Sequence, residues 1–231
     1  MTVNLITGVA GFVGSHLAEA LLQKGQQVIG VDEFNDYYDP RLKRQNISGF
    51  QDRSAFQLIE ANLLDLDCVD LLKTVDVVYH QAAQAGVRAS WGKTFNLYTD
   101  RNINATQVLL EAAKDSPQLQ RFVFASSSSV YGNAETLPTS EAICPQPVSP
   151  YGITKLAAER LCLLYHQNFG VPTVGLRYFT VYGPRQRPDM AFNRFFQCVL
   201  QQQPIDIYGD GKQTRDFTFI SDAIAANIVA A

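Results

Sequence analysis

A short apolar run, Val3 to Thr7, empties into Gly8-Val9-Ala10-Gly11-Phe12-Val13-Gly14, and this glycine spacing leaves few folds open. Glycine at the first two places lets the backbone turn tightly and come close to a bound group, and the following helix aims its positive N-terminal end at the same spot. Alone the spacing is weak, because glycines also end strands for structural reasons. Here it sits in the strand–turn–helix setting that a pyrophosphate site requires. Asp32 follows the second apolar run, Gln27 to Val31. An acid at that place bonds the hydroxyls of an adenosine ribose and repels a 2′-phosphate. No arginine follows at once, so the pattern points to NAD rather than NADP. The alternative is that Asp32 merely shapes a turn.

Strand-like runs then alternate with helical patterns, the mark of βαβ units around a parallel sheet. Strands are expected at Val3–Thr7, Gln27–Val31, Ala55–Glu60, Val75–His80, Arg121–Ala125 and Thr173–Tyr178. Helices are expected at Gly14–Lys24, Leu63–Leu72, Tyr98–Lys114 and Pro150–Phe169. Asp32 to Asn46 and Asn133 to Ser149 read as long loops, which in compact domains are often functional but can be solvated insertions. The expected fold class is α/β, a doubly wound parallel sheet of the NAD-binding Rossmann type, with a partial C-terminal substrate-binding lobe. Residues 1–178 form the dinucleotide domain in this reading. Residues 179–231 begin the substrate lobe and add the last sheet-packing elements. A helix starting near Ser221-Asp222 runs to Ala231 with no stop signal, so a truncated chain is one expectation and a shortened fold the other.

Composition narrows the partners. With 231 residues, 46% hydrophobic, 18% charged and a formal charge of −3, the chain is an ordinary globular one. It has no basic cluster for nucleic acid or an anionic membrane, and no apolar stretch near the roughly 20 residues of a membrane span. The N-terminus lacks the pattern of a secretion signal. Cys68, Cys144, Cys162 and Cys198 are scattered, with no C-x-x-C and no metal-like pairing with the three histidines. Reduced thiols, no metal and a cytoplasmic setting follow as expectations.

Tyr151-Gly152-Ile153-Thr154-Lys155 sets a tyrosine and a lysine at i and i+4, on one helix face. Ser149 is a plausible N-cap with Pro150 at the first helical position. An ammonium nearby lowers a phenol's pKa and makes it usable as a base. Taken alone, a Tyr-x-x-x-Lys spacing is more often structural. Here the fifth strand also ends in Ser126-Ser127-Ser128-Ser129-Val130-Tyr131-Gly132, at the carboxyl edge where open α/β sheets place their sites.

With these residues the chain resembles the extended short-chain dehydrogenases/reductases, and among them the nucleotide-sugar epimerases and dehydratases. His80-Gln81-Ala82-Ala83, Asn102, Leu176-Arg177-Tyr178-Phe179, Tyr208-Gly209-Asp210-Gly211 and Arg215-Asp216-Phe217 carry the likeness further. The resemblance implies that Tyr151 is the catalytic base, Lys155 its partner and a ribose contact, and Ser127 the hydroxyl that bonds the reacting sugar oxygen. It implies cofactor contacts at Gly8, Gly11, Phe12, Gly14, Asp32, Asn62, Leu63, Ala82, Ala83, Asn102, Ser126 and Tyr178. Asn62 stands where the family usually has an aspartate, which keeps an acceptor and loses a charge. Substrate contacts are implied at Gln84, Arg88, Ser127 and Ser128. Arg215 looks like the diphosphate clamp, and relatives commonly form homodimers through the helices at Tyr98–Lys114 and Pro150–Phe169.

The reaction shared by the family opens with oxidation at the sugar's C4. Dehydratases and decarboxylases resembling this chain carry an acid in the fifth-strand motif, where Ser126, Ser127 and Ser128 stand here, so epimerisation is favoured. The run from Phe179 to Ala191 and the segments Asn35–Pro40 and Ala83–Arg88 look most like UDP-glucuronate 4-epimerases. Thr180, Arg185 and Arg187 could supply donors to a sugar carboxylate. Arginines bonding only phosphate or surface acids are the alternative. A UDP-glucose 4-epimerase is the second enzymatic reading, and a non-catalytic NAD-binding fragment is the third.

Overall fold

The computed structural model describes residues 1–134, 136–207 and 209–231. Tyr208, at the head of the Tyr208–Gly211 motif, lies outside the described residues. Six parallel strands form the central sheet in the order β3-β2-β1-β4-β5-β6. They are β1 Val3–Thr7, β2 Gln27–Asp32, β3 Phe56–Glu60, β4 Val77–His80, β5 Arg121–Ser127 and β6 Thr173–Tyr178. The chain leaves β1 first toward β2 and later, from β3, crosses back to β4, so a crevice opens at the carboxyl ends of the strands beside β1.

Both faces of the sheet are covered, and the strands show why. Successive side chains alternate between faces. Ile6, Val28, Tyr79 and Val123 pack with α1 (Phe12–Gln23) and α8 (Ile220–Ala230). Leu5, Val78, Phe122 and Phe124 pack on the other side, with α5 (Ala105–Lys114) and α6 (Pro150–Phe169). The remaining helices are α2 Pro40–Ile47, α3 Cys68–Leu72, α4 Phe95–Tyr98 and α7 Ala191–Leu200. A separate pair of parallel strands, β7 Thr180–Tyr182 and β8 Phe217–Phe219, flanks α7 in sequence.

Several boundaries differ from the sequence reading. The first helix starts at Phe12 rather than Gly14, with Gly11 as its extended N-cap. Gly14 is inside the helix, where a side chain would meet the Gly8 carbonyl oxygen at 2.2 Å. The expected loop from Asp32 to Asn46 holds α2, started by Asp39, whose carboxylate accepts from the Arg41 N–H, and by Pro40. The helix expected at Leu63–Leu72 is a 3-10 turn, Leu63–Asp65, followed by α3. The helix expected from Tyr98 begins at Phe95, and its six residues Thr99–Asn104 form a wider π turn between α4 and α5.

The contact of Gly14 with the Gly8 turn joins helix to strand without room for a methyl group. Gly14→Ala is expected to cost about 3 kcal/mol by overpacking, measured by urea denaturation. Gly49→Ala, where no atom lies within 4 Å of the added carbon, should stay within about 0.5 kcal/mol of the parent.

Candidate active site

The crevice begins at the glycine turn. Gly8 has φ +69°, and a side chain there would come within 2.9 Å of the Ala82 backbone. Its N–H donates to the Val31 carbonyl at 2.7 Å, which ties the turn to β2. No side chain caps the first turn of α1 and no acid stands in it. Its N–H groups therefore offer an anion site against a bare backbone wall, which fits the pyrophosphate of a dinucleotide. Gly11, Phe12, Asp32, Asn62, Leu63, Ala82, Ala83 and Gln84 line the same crevice, as do Ser126, Tyr151, Lys155, Tyr178 and Arg187.

At the far end of β2, the Asp32 carboxylate accepts from the N–H groups of Ala10 (3.1 Å) and Phe34 (2.9 Å). Asn62 caps the turn after β3 by accepting from the Leu64 N–H, and it donates to Glu33 at 3.3 Å. Glu33 also pairs with Arg101 at 2.9 Å, and Arg101 donates to the Gln84 side chain at 2.6 Å. Lys43 and Arg101 both line the crevice, and the sequence reading missed both. Arg101 gave no signal because it stands inside a helical pattern. Lys43 fell in a stretch read as loop, although its place on α2 follows from Asp39-Pro40.

The chemistry collects where α6 meets the end of β5. Ser149 caps α6 by accepting from the Gly152 N–H at 3.1 Å, and Pro150 opens the first turn. Gly152 lies so near the turn after β5 that a side chain would stand 2.6 Å from the Ser129 carbonyl oxygen. This close approach sets the Tyr151 phenol beside Ser127, whose hydroxyl favours the ionised form. Ser127 in turn accepts from the Ser129 N–H at 3.1 Å. Ser126 is spoken for differently, donating to Glu159 at 2.7 Å, and Arg177 holds that carboxylate with two further bonds.

Burial pushes the Tyr151 phenol up, against the opposing pull of Ser127 and Arg187. The opposing pull thus comes from Ser127 and Arg187 and not from the Lys155 ammonium that the spacing suggested. Lys155, one turn along, is 3% exposed, and its ammonium lies 4.6 Å from the centre of the Phe124 ring. Burial brings it down to about 8. His80 bonds Thr7 at 2.7 Å and Thr106 at 2.9 Å, and burial pulls it down to about 3, so it stays neutral and joins β1, β4 and α5.

Other expected residues lie elsewhere. Asn102 sits behind the crevice wall, where it accepts from the Gln84 N–H at 2.7 Å and donates to Thr154 at 2.9 Å. Of these two partners, Gln84 lines the crevice. Arg185 turns away because its backbone is left-handed (φ 64°) and Glu19 on α1 captures it at 2.7 Å. Arg215 is exposed and donates to the Thr214 carbonyl at 2.7 Å. Thr180 is paired in β7 with Phe217. Arg88 is exposed in the 3-10 turn Arg88–Ser90, and Ser128 is half-buried at the head of the turn after β5. Arg187, by contrast, enters the crevice, steadied by Asp189 at 2.9 Å.

This arrangement is a dinucleotide crevice with a Ser/Tyr/Lys set at its inner end, and residues 4–231 match the model of the NAD dependent epimerase/dehydratase family. The chain belongs to that family. It is 52% identical over 221 residues to YtcB of Bacillus subtilis (strain 168), which carries the name uncharacterized UDP-glucose epimerase; the match spans 95% of this chain and 69% of that one. It is 40% identical over 233 residues to the UDP-glucuronate 4-epimerase of Thermodesulfobacterium geofontis (strain OPF15), spanning 100% and 72%. Among solved structures it superimposes, with a TM-score of 0.96 and 50% identity, on the Bacillus cereus UDP-glucuronic acid 4-epimerase in complex with UDP-glucuronic acid and NAD. That match covers 99% of this chain and 73% of the other.

The buried lysine makes a stability prediction. Its pKa in the fold lies near 8, against 10.5 as the ordinary value. Between those values the unfolded chain binds the extra proton, so this contribution to stability rises with pH across the window and is most costly below about 8. Lys155→Met is expected to remove that slope and to stabilise the cofactor-free protein at pH 7 by on the order of 3 kcal/mol. Denaturation curves from pH 7 to 10.5 check it; an unchanged slope would contradict the burial argument.

Proposed function

We propose that the chain is an NAD-dependent 4-epimerase of a UDP-sugar, converting UDP-glucuronate to UDP-galacturonate through a transient 4-keto sugar. Bound NAD supplies the hydride acceptor and later donor at the sugar's C4. The glycine turn and α1 hold its pyrophosphate, Asp32 its adenosine ribose, and Lys155 with Tyr178 the inner end. Tyr151 takes the proton of the C4 hydroxyl, and Ser127 beside it orients that hydroxyl. Tyr151 acts as the phenolate, which Lys155 stabilises before the proton arrives.

The observation that carries this reading is the placement of Arg187 beside a Tyr151–Ser127 pair with no acid in the serine run. A guanidinium is suited to a sugar carboxylate, and without an added acid or base the keto sugar has no route to elimination. Support also comes from the relative whose crystals hold UDP-glucuronic acid with NAD. The name of the Bacillus subtilis relative favours UDP-glucose as the second reading. Residues 179–231 are read as the start of the substrate lobe. Leu163, Leu164 and Phe169, exposed on α6, support a homodimer through α5 and α6, which sedimentation velocity tests. Four free cysteines, two of them buried, fit a cytoplasmic setting.

NMR of products formed from UDP-glucuronate and UDP-glucose, each given separately, distinguishes the two enzymatic readings. Tyr151→Phe is expected to lower turnover by about 10³-fold while NAD binding, followed by calorimetry, stays near the parent value. Arg187→Met should raise KM for the glucuronate by about tenfold or more, and Arg185→Met should change it far less. Equal effects of the two substitutions would remove the carboxylate role of Arg187.

A further inference from the structure

Helix α2 carries three cations, and they part company. Arg41 is 91% exposed on its side chain and pairs with Asp39. Arg44 pairs with Glu60 and lies over the Phe34 ring at 3.8 Å. Lys43 alone turns inward: its side chain is 7% exposed and its ammonium lies 3.4 Å from Asp32 and 3.2 Å from Asn35. The Tyr38 ring centre is 5.3 Å away. Lys43, Asp32, Asn35 and Tyr38 all line the crevice at the end assigned to the adenosine ribose.

A lysine is rarely buried unless it is paired, and the pair with Asp32 is long. An ammonium carries three donors, and Asp32 and Asn35 take two of them. Alongside, the second acid at this end, Glu33, is held by Arg101. The ribose end therefore presents two acids and two cations in contact, a balance that Asp32 seen by itself does not convey. A 2′-phosphate entering here meets a carboxylate already engaged with an ammonium.

We infer that Lys43 sets how this site reads the 2′ position of the adenosine ribose: Asp32 favours the free hydroxyl, and Lys43 admits the phosphorylated form. The inference rests on the dinucleotide reading of the crevice. The protein then binds NAD in preference to NADP, but with a gap that Lys43 keeps narrow. Lys43→Met exposes a 2′-phosphate to Asp32 without its counter-charge, while Lys43→Arg keeps that charge.

The test is calorimetric titration of the wild-type protein, Lys43→Met and Lys43→Arg with NAD and with NADP, at low and high salt. The wild type is expected to prefer NAD by less than about 100-fold. Lys43→Met should widen the preference for NAD over NADP by about tenfold or more, whatever it does to the affinity for NAD itself. Lys43→Arg should keep the wild-type ratio, and added salt should weaken NADP more than NAD. The inference is overturned if the wild type gives no measurable NADP binding, or if Lys43→Met weakens both dinucleotides alike. Failure of the wild type to bind NAD would overturn the dinucleotide reading as well, so the two failures are told apart.

Discussion

Everything in the crevice hangs from one constraint: the sheet is parallel, so all of its strands end on the same edge. Asp32, Ser127 and Tyr178 each close a strand on that edge, and Ser126 stands one residue in from it. The order β3-β2-β1-β4-β5-β6 sends the chain to opposite sides of β1, and this leaves a gap rather than a covering loop. Contacts without space for side chains then set the depth of the gap. Gly14 lets α1 lie against the Gly8 turn, and Gly152 lets α6 lie against the turn after β5. The first fixes the anion end and the second the proton-transfer end.

That shared edge explains which parts of the protein were readable in its sequence. Apolar runs located all six strands of the main sheet, because burial on both faces leaves a dense hydrophobic signature. Ser149-Pro150 placed the start of α6 to the residue, since a cap and a fixed φ are local properties. Local rules failed where a distant partner decided the outcome. Arg185 and Arg187 are two residues apart and chemically identical, yet Glu19 takes one and the crevice receives the other. Asn102, read as a cofactor contact, also bonds Gln84 and Thr154, partners that no local pattern points to. Asp39-Pro40 did announce α2, a signal hidden by the polar and aromatic residues around it.

The site stores its reactivity as burial. Tyr151 and Lys155 are both held away from their ordinary proton affinities by lack of water, in the direction that favours the neutral form of each. Groups in a dry site respond strongly to any charge brought among them, because little solvent intervenes to screen it. Ser127 and Arg187, which already pull Tyr151 the other way, mark the direction in which bound groups act. His80, kept neutral between two threonines, adds no competing titration beside Lys155 in the neutral pH range.

The wide turn Thr99–Asn104 has a consequence for how this region tolerates change in length. A π turn accommodates one residue more than an α turn, and each residue of an α-helix advances the azimuth by about 100°. Tyr98 is anchored to the Gly86 carbonyl on one side of the turn, and Thr106 to His80 on the other. Deleting a single residue between them would let the helix regularise, and would swing Arg101 and Asn102 off the Gln84 segment while both anchors held. The helix would become more ideal as the crevice lost its wall. In this stretch the irregular backbone is what keeps two rigid halves in phase with the sheet.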